Sequence, residues 1–428
     1  MDSRGNYITE LWNCLDRKKH IERLVEGLTS QLSDNFEKLV PAQTWTVYWI
    51  THSLALLEQP RLLDDLAEDV IDFMNECAHG QGGYGGGPGQ IAHLATSFAA
   101  INALITTSRE DALESIDRVS LVRFLHRMKQ GDGSFSMHDD GEIDSRATYC
   151  AVAILRCLNI QDCILLENVA DWILSCQTYE GGFASVPGSE AHGGYTFCCV
   201  ASLCLMNQLH RADLPALLRW LTSKQCLEEG GFCGRSNKLV DSCYSYWQGA
   251  VFPLIHQYLI ESSPSKSKSR PTAESTSEEK DQKNESQRNG GPSTSGRPVT
   301  RSMSKSSKQD SRDQEDSKNQ DCNLLDRWMF DCAALQDYVL NKCQSKDGLL
   351  KDKPGEGPDF YHTCYALSGL SISQHQPDTS IFDIGSLPIN VLAPTSPLFN
   401  LSIASLDYCY DYFENKKIQT FDKDRHDS

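Results

Sequence analysis

In the stretch "KLVDSCYSYW", Asp241 and Cys243 stand two residues apart, behind Lys238 and ahead of Tyr244, Tyr246 and Trp247. Asp oxygen and Cys sulfur are both zinc ligands, and a catalytic zinc takes three protein ligands and keeps its fourth position open. Alone, the pair also has a plainer account: the Asp caps a helix and the Cys fills a core. A third ligand would decide between them. Finding it requires the elements that bring distant segments together.

Those elements are repeats. Glycine-led turns recur at "QGGYGGG" (Gly82, Gly83), "QGDGSF" (Asp132, Gly133), "YEGGFAS" (Gly181, Gly182), "EEGGFCG" (Gly230, Gly231) and "SKDGLL" (Asp347, Gly348). Counted from the second residue of each pair, the steps are 50, 49, 49 and 117. A helical pattern with one aromatic in register precedes each turn: Phe73, Phe124, Trp172, Trp220 and Tyr338. Another follows it, carrying Phe98, Tyr149, Phe197, Tyr246 and Tyr365, with Tyr48 supplying a sixth member. Residues 262–321 are polar apart from Ala273, Val299 and Met303. Such a segment cannot offset its ordering entropy by burial, so it is expected to be a disordered insertion. Without its 60 residues the long step shrinks to 57.

Each unit therefore reads as outer helix, glycine turn, inner helix. Inner segments such as "CCVASLCL" are apolar all round and should be buried, while outer ones keep a polar face. The expected class is all-α: six hairpins closed into an α-α barrel, formed by residues 1–261 and 322–428 around the insertion. An open solenoid is the alternative, and the lack of evident polar caps favours closure.

Aligning the inner helices on their aromatics places Ala95, Arg146, Gly194, Cys243 and His362 three residues earlier. Two further back stand His93, Asp144, His192, Asp241 and Phe360. All belong to helix starts at one rim, so His362 joins Asp241 and Cys243 as the third candidate zinc ligand. Helix N-termini favour anions. His192, Arg146, Arg235 and Lys238 gather there as a candidate phosphate clamp, and Gly193 and Gly194 would let an anion approach the backbone. Trp45, Trp49, Tyr149, Tyr195, Trp247 and Tyr365 line the inner set. Core filling explains part of that wall, and a funnel for a long hydrocarbon attached to the phosphates explains more.

Composition narrows the classes. A net charge of −18 gives a nucleic-acid partner no overall support. The 17 cysteines form no framework of spacings, the first residues lack the apolar core of a signal peptide, and no run of eighteen apolar residues occurs. Free thiols in a reducing cytoplasm are the expectation.

"GGGPGQIAHLATSFAAINAL", "EAHGGYTFC", "GRSNKLVDSCYSYW" and "DFYHTCYALSGLS" resemble the β subunits of protein farnesyltransferases, over nearly the whole chain except the insertion. "LPINVLAPTSPLFN" is similar to that family's closing segment. The resemblance implies an α-α barrel, one catalytic zinc per chain, a separate α subunit in an obligate heterodimer, and transfer of farnesyl from farnesyl diphosphate to the cysteine of a C-terminal C-a-a-X sequence. It implies zinc ligation by Asp241, Cys243 and His362, and a diphosphate pocket of His192, Arg235, Lys238 and Tyr244. It further implies a lipid wall of Arg146, Tyr149, Tyr195, Cys198 and Trp247, and magnesium on the diphosphate near Asp352. Trp45, Trp49 and Tyr361 would meet the lipid and the a-a-X side chains, and Tyr365 belongs to the same wall. Departures from the family pattern are Ser242, where glycine is usual, "QGDGSF" for Pro-Asp-Gly, and "GGFAS" for a run richer in glycine.

The nearest rival is the type I geranylgeranyltransferase β subunit, with the same chemistry and a longer lipid. Bulky Trp45 and Tyr365 should shorten the funnel, and Asp352 stands where those enzymes tend to carry lysine. A triterpene cyclase is suggested by "QGDGSF", yet the chain lacks that family's acidic cyclisation motif. A non-catalytic barrel that binds proteins is the rival from another class.

Overall fold

The computed structural model describes residues 14–31, 41–262, 327–377 and 387–419. The chain divides into two units, residues 1–261 with 324–428, and residues 262–323. The predicted insertion, beyond Ser262, lies outside the described residues.

In the first unit the helices alternate outer and inner: α1 (Arg17–Gln31) with α2 (Gln43–Leu56), α3 (Ala67–Cys77) with α4 (Leu94–Thr106), and α5 (Arg118–Met128) with α6 (Ser145–Cys157). They continue as α7 (Val169–Ser175) with α8 (Gly193–Leu205), and α9 (Leu214–Thr222) with α10 (Tyr244–Trp247) and α11 (Val251–Ser262). The last pair is α12 (Cys332–Tyr338) with α13 (Phe360–Gln374), followed by α14 (Ile403–Phe413). The inner helices touch in cyclic order: α2 on α4, α4 on α6, α6 on α8, α8 on α10, α10 on α13, and α13 back on α2. That last contact closes the barrel and excludes the open solenoid. Short β-bridges repeat at the glycine turns, as at Lys129 with Phe135 and Gln177 with Phe183.

The glycine pairs divide their labour. Gly181 has φ 109°, and a Cβ there would stand 2.1 Å from the Ala216 carbonyl oxygen on the next outer helix. Gly182 meets Trp220 instead, 2.7 Å from a built Cβ. Gly133 has φ 104° and faces the Asn168 carbonyl, so its counterpart is Gly181, one residue before the alignment on second members. Gly348 faces the Lys19 carbonyl of α1, 2.6 Å from a built Cβ, so the same device closes the outer ring.

The fifth inner helix is not continuous. Pro253 cannot donate to the carbonyl of Gly249 and its ring crowds that carbonyl, so the chain leaves the helix between α10 and α11.

Tyr48, Phe98, Tyr149, Phe197, Tyr246 and Tyr365 form a belt inside the barrel, with successive ring centroids 6.5, 5.4, 5.2, 5.1 and 5.7 Å apart. Below it, toward the C-terminal ends of the inner helices, residues 395–402 make the floor. Tyr48 Oη donates to the Asn400 carbonyl at 2.6 Å, Tyr149 Oη to Leu398 at 2.8 Å and Tyr246 Oη to Pro397 at 3.3 Å. Asn102 donates to the Phe399 carbonyl at 3.1 Å. The closing segment thus satisfies its backbone acceptors with inner-helix side chains.

Candidate active site

At four of the inner-helix starts a His or Asp accepts from the backbone N–H two residues on, while α2 has no side-chain cap. His93 Nδ1 accepts from Ala95 N at 3.1 Å, Asp144 Oδ1 from Arg146 N at 2.8 Å, His192 Nδ1 from Gly194 N at 3.1 Å and Asp241 Oδ1 from Cys243 N at 2.8 Å. Asp241 makes this contact over the turn before α10, whose own N-cap is Cys243, so the plain account of Asp241 as a helix cap does not hold. In α13 the cap is Asp359, one residue before the aligned Phe360, and its Oδ1 accepts from His362 N at 2.7 Å.

Asp241, half-buried, Cys243, buried, and His362, half-buried, each offer a ligand atom, and these atoms lie within 4.8 Å of one another. His362 Nδ1 is held by Asp359 Oδ2 at 2.6 Å, which leaves Nε2 facing Asp241 Oδ1 at 3.4 Å. A carboxylate behind a ligating imidazole is what orients such a ligand and raises its basicity. Burial alone would lower the His362 pKa, but Asp241 and Asp359 raise it to about 9. Burial and the Asp241 charge push the Cys243 thiol well up. Burial works against the Asp241 carboxylate, yet His362 and Cys243 N–H hold its pKa below the usual value. The donor set of one oxygen, one sulfur and one nitrogen fits a borderline-soft divalent cation, and two protons would leave as it binds.

Beside the triad lies a cavity of about 590 Å³, within the roughly 300–1,000 Å³ of small-molecule sites. Trp45, Trp49, Arg146, Tyr149, His192, Gly194, Tyr195, Cys198, Tyr244, Trp247, Tyr361 and Tyr365 all line it. Tyr361 joins the cavity to the triad. Its hydroxyl accepts from Trp247 Nε1 at 3.0 Å, and its ring meets that of His362 edge-on, with centroids 4.9 Å apart. Arg146 is fixed by Asp144 (Nε to Oδ2, 3.0 Å), which raises its pKa further, so it remains a cation at the wall.

At the mouth, geometry sets a tautomer. His192 is neutral, because burial and the nearby Arg235 charge lower its pKa to about 4. Its Nδ1 accepts from Gly194 N, so the ring proton sits on Nε2 and is donated to Tyr244 Oη at 2.9 Å. Tyr244 is thereby left with its own proton to donate, and burial raises its pKa so that the proton is retained.

The remaining predicted residues stand outside the cavity wall. Gly193 is buried, its N–H donating to the Gly234 carbonyl at 2.9 Å. Arg235 pairs with Glu190 at 3.3 Å, and Lys238 is exposed on the same loop. Asp352 belongs to the turn between two short antiparallel strands, Leu350–Lys351 and Pro358–Asp359. One of its carboxylate oxygens pairs with Lys353, while Oδ1 is buried with no hydrogen-bond partner among the described residues, an acceptor suited to a cation. That turn is stitched to the triad through Ser242: N–H to the Asp352 carbonyl at 2.8 Å and Oγ to the Lys351 carbonyl at 2.9 Å. The serine that departs from the family pattern thus makes a bond that glycine could not.

Residue types and spacing missed Asp359, Lys353, Met137 and Glu142, the last two of which line the cavity. Asp359 carried a usable signal, an Asp three residues before a helix-start His.

The chain matches the family described as "Prenyltransferase alpha-alpha toroid domain" over residues 15–401. It is 41% identical to the protein farnesyltransferase subunit beta of Pisum sativum over 90% of this chain and 92% of that one. A geranylgeranyl transferase type-1 subunit beta of Arabidopsis thaliana is more distant, 30% identical over 67% of this chain and 60% of its own. Among solved structures, Candida albicans protein geranylgeranyltransferase-I complexed with GGPP superposes with a TM-score of 0.65 at 20% identity, covering 94% of this chain and 99% of that one, which shows the shared fold. Fold and site define a prenyltransferase of the α-α toroid class. Within that class, the chain belongs to the protein farnesyltransferase β-subunit family.

Proposed function

We propose that this chain is the catalytic β subunit of a protein farnesyltransferase, moving the farnesyl group of farnesyl diphosphate onto the cysteine of a C-terminal C-a-a-X sequence. The observation that carries this reading is Tyr361, whose ring packs against His362 of the metal triad and also lines the aromatic cavity. Thiol chemistry and lipid binding are therefore adjacent.

Asp241, Cys243 and His362 would hold zinc, and when bound the ion supplies a Lewis-acid position that favours the substrate thiolate. Asp359 keeps His362 oriented for that role. Trp45, Trp49, Tyr149, Tyr195, Cys198, Trp247 and Tyr365 hold the hydrocarbon and exclude water, placing the reacting carbon near the sulfur. At the other side of the breaking C–O bond, Tyr244, its proton directed by His192, donates to the departing diphosphate oxygen. Arg235 and Lys238 balance its growing charge. Asp352, with one oxygen unpartnered among the described residues, is where magnesium on the diphosphate would be met. An α subunit completes the enzyme as a heterodimer. No helix among the described residues is long and apolar enough to cross a membrane.

The test is label transfer from farnesyl and from geranylgeranyl diphosphate to a C-a-a-X peptide by heterodimer made with the α subunit. Farnesyl transfer should dominate. Preferential geranylgeranyl transfer would move the chain to its rival, and no transfer with zinc bound would leave a binding barrel.

A further inference from the structure

Gly234 poses a question that backbone conformation does not answer. Unlike Gly181, it has no positive φ, so any residue could adopt its conformation. What it lacks is room. A Cβ built there would stand 2.0 Å from Tyr244 Cζ and 2.2 Å from Tyr244 Oη, far inside contact distance. Gly193, whose N–H donates to the Gly234 carbonyl at 2.9 Å, backs the same ring: its Cβ would lie 3.0 Å from Tyr244 Cδ1 and 2.9 Å from Gln248 Cγ. Neither glycine has a positive φ, and both are buried.

We propose that Gly234 and Gly193 form a notch that seats the Tyr244 ring where its hydroxyl meets His192 Nε2, making both glycines positioning residues for the leaving-group donor. This rests on the proposed farnesyl transfer. The atoms Gly234 would strike are the far end of a side chain that borders open cavity, so an added methyl is relieved by swinging Tyr244 inward. Folding then suffers little while the donor leaves its place. A hydroxyl moved by even one ångström no longer donates along the bond that breaks, because proximity effects are steep in distance. The glycine's value is catalytic geometry rather than backbone freedom.

The test is a double-mutant cycle on zinc-loaded heterodimer, reading the single-turnover rate of farnesyl transfer. Gly234→Ala should slow transfer to the level of Tyr244→Phe, roughly tenfold to a hundredfold given the usual worth of one such donor. It should lower the rate by a larger factor than it lowers farnesyl diphosphate affinity, since Arg235 and Lys238 keep their places. The double variant should be no slower than Tyr244→Phe alone, since residues acting as a unit are not additive. Equal losses in both backgrounds would mean general distortion and overturn the notch, as would a Gly234→Ala enzyme of wild-type rate beside a slow Tyr244→Phe. A second readout is independent of activity: the ¹⁵N shifts of the His192 ring in Gly234→Ala should match those in Tyr244→Phe. Wild-type shifts there would also overturn the notch. If wild-type heterodimer transferred no farnesyl at all, the functional reading would fail while this readout still judged the notch. If Gly234→Ala gave no soluble heterodimer, Gly193→Ala would run the same cycle with a smaller expected loss.

Discussion

The floor and the rim of the barrel are built from the same side-chain types and use them in opposite ways. At the floor, Tyr48, Tyr149 and Tyr246 each donate to a backbone carbonyl of residues 397–400. His52 is enclosed there, 3.2 Å from both Ser368 Oγ and Asn400 Oδ1, and burial drives its pKa down to about 3. The hydroxyls are engaged with the chain's own backbone. At the rim, His192 and Tyr244 form a relay whose last proton has no acceptor among the described residues, His362 Nε2 faces the other ligands, and one oxygen of Asp352 has no partner among the described residues. Residue type does not distinguish structure from function here. What the polar atoms face does: the cavity and the metal triad at the rim, the chain's own backbone at the floor.

The contrast is sharpest at the metal triad. Cys243→Ala and His362→Ala should each lower turnover of the heterodimer by a thousandfold or more, on the order of what loss of an activated nucleophile removes. Retention of more than about a tenth of wild-type turnover would mean the triad is not the reacting centre.

Next in size is the zinc affinity itself as a function of pH. Below about pH 9 a proton must leave His362 before it can ligate, and another must leave Cys243. Affinity should therefore fall as pH falls, by roughly tenfold to a hundredfold per pH unit. A flat profile in competition with a chelator would show that these groups are not the ligands.

A floor substitution should behave in the opposite manner. Tyr48→Phe leaves the buried Asn400 carbonyl unsatisfied, costing about 1–3 kcal/mol of stability with kcat and KM nearly unchanged. Thermal unfolding beside steady-state kinetics separates the two. A lowered kcat with unchanged unfolding temperature would erase the distinction between the ends.

The mildest expected effect concerns lipid length. Trp45, at the cavity wall with Trp49 and Phe98, packs with ring centroids 5.7 Å and 6.1 Å from those two and 5.9 Å from Tyr48 behind them. Trp45→Thr vacates that volume, which should raise geranylgeranyl relative to farnesyl transfer at some loss of stability. An unchanged ratio of the two activities would show that Trp45 does not measure the chain.

Much of this was legible before any coordinates because it repeats. The inner-helix aromatics recur in register, and that register alone carried His362 to the same rim as Asp241 and Cys243. What escaped it was local or non-repeating. Asp359 lies one residue off the common cap because α13 begins one residue early. The α10–α11 break follows from Pro253 acting on Gly249, which a periodic reading smooths over. The floor could not be read at all, because residues 397–400 are held through their backbone carbonyls, which leave no mark in side-chain pattern. The predicted insertion falls outside the described residues.

The central claim is that the rim holds two adjoining sites, a metal triad for the thiol and a cavity with cations for the lipid diphosphate, meeting at Tyr361. Zinc content and farnesyl diphosphate affinity measured side by side on Cys243→Ala heterodimer test it most directly. The account predicts that zinc is lost while lipid affinity stays within a few-fold of wild type, because the diphosphate meets His192, Arg235, Lys238 and Tyr244 rather than the ligands. Stoichiometric zinc retained in the variant, or lipid affinity lost along with the metal, would contradict it.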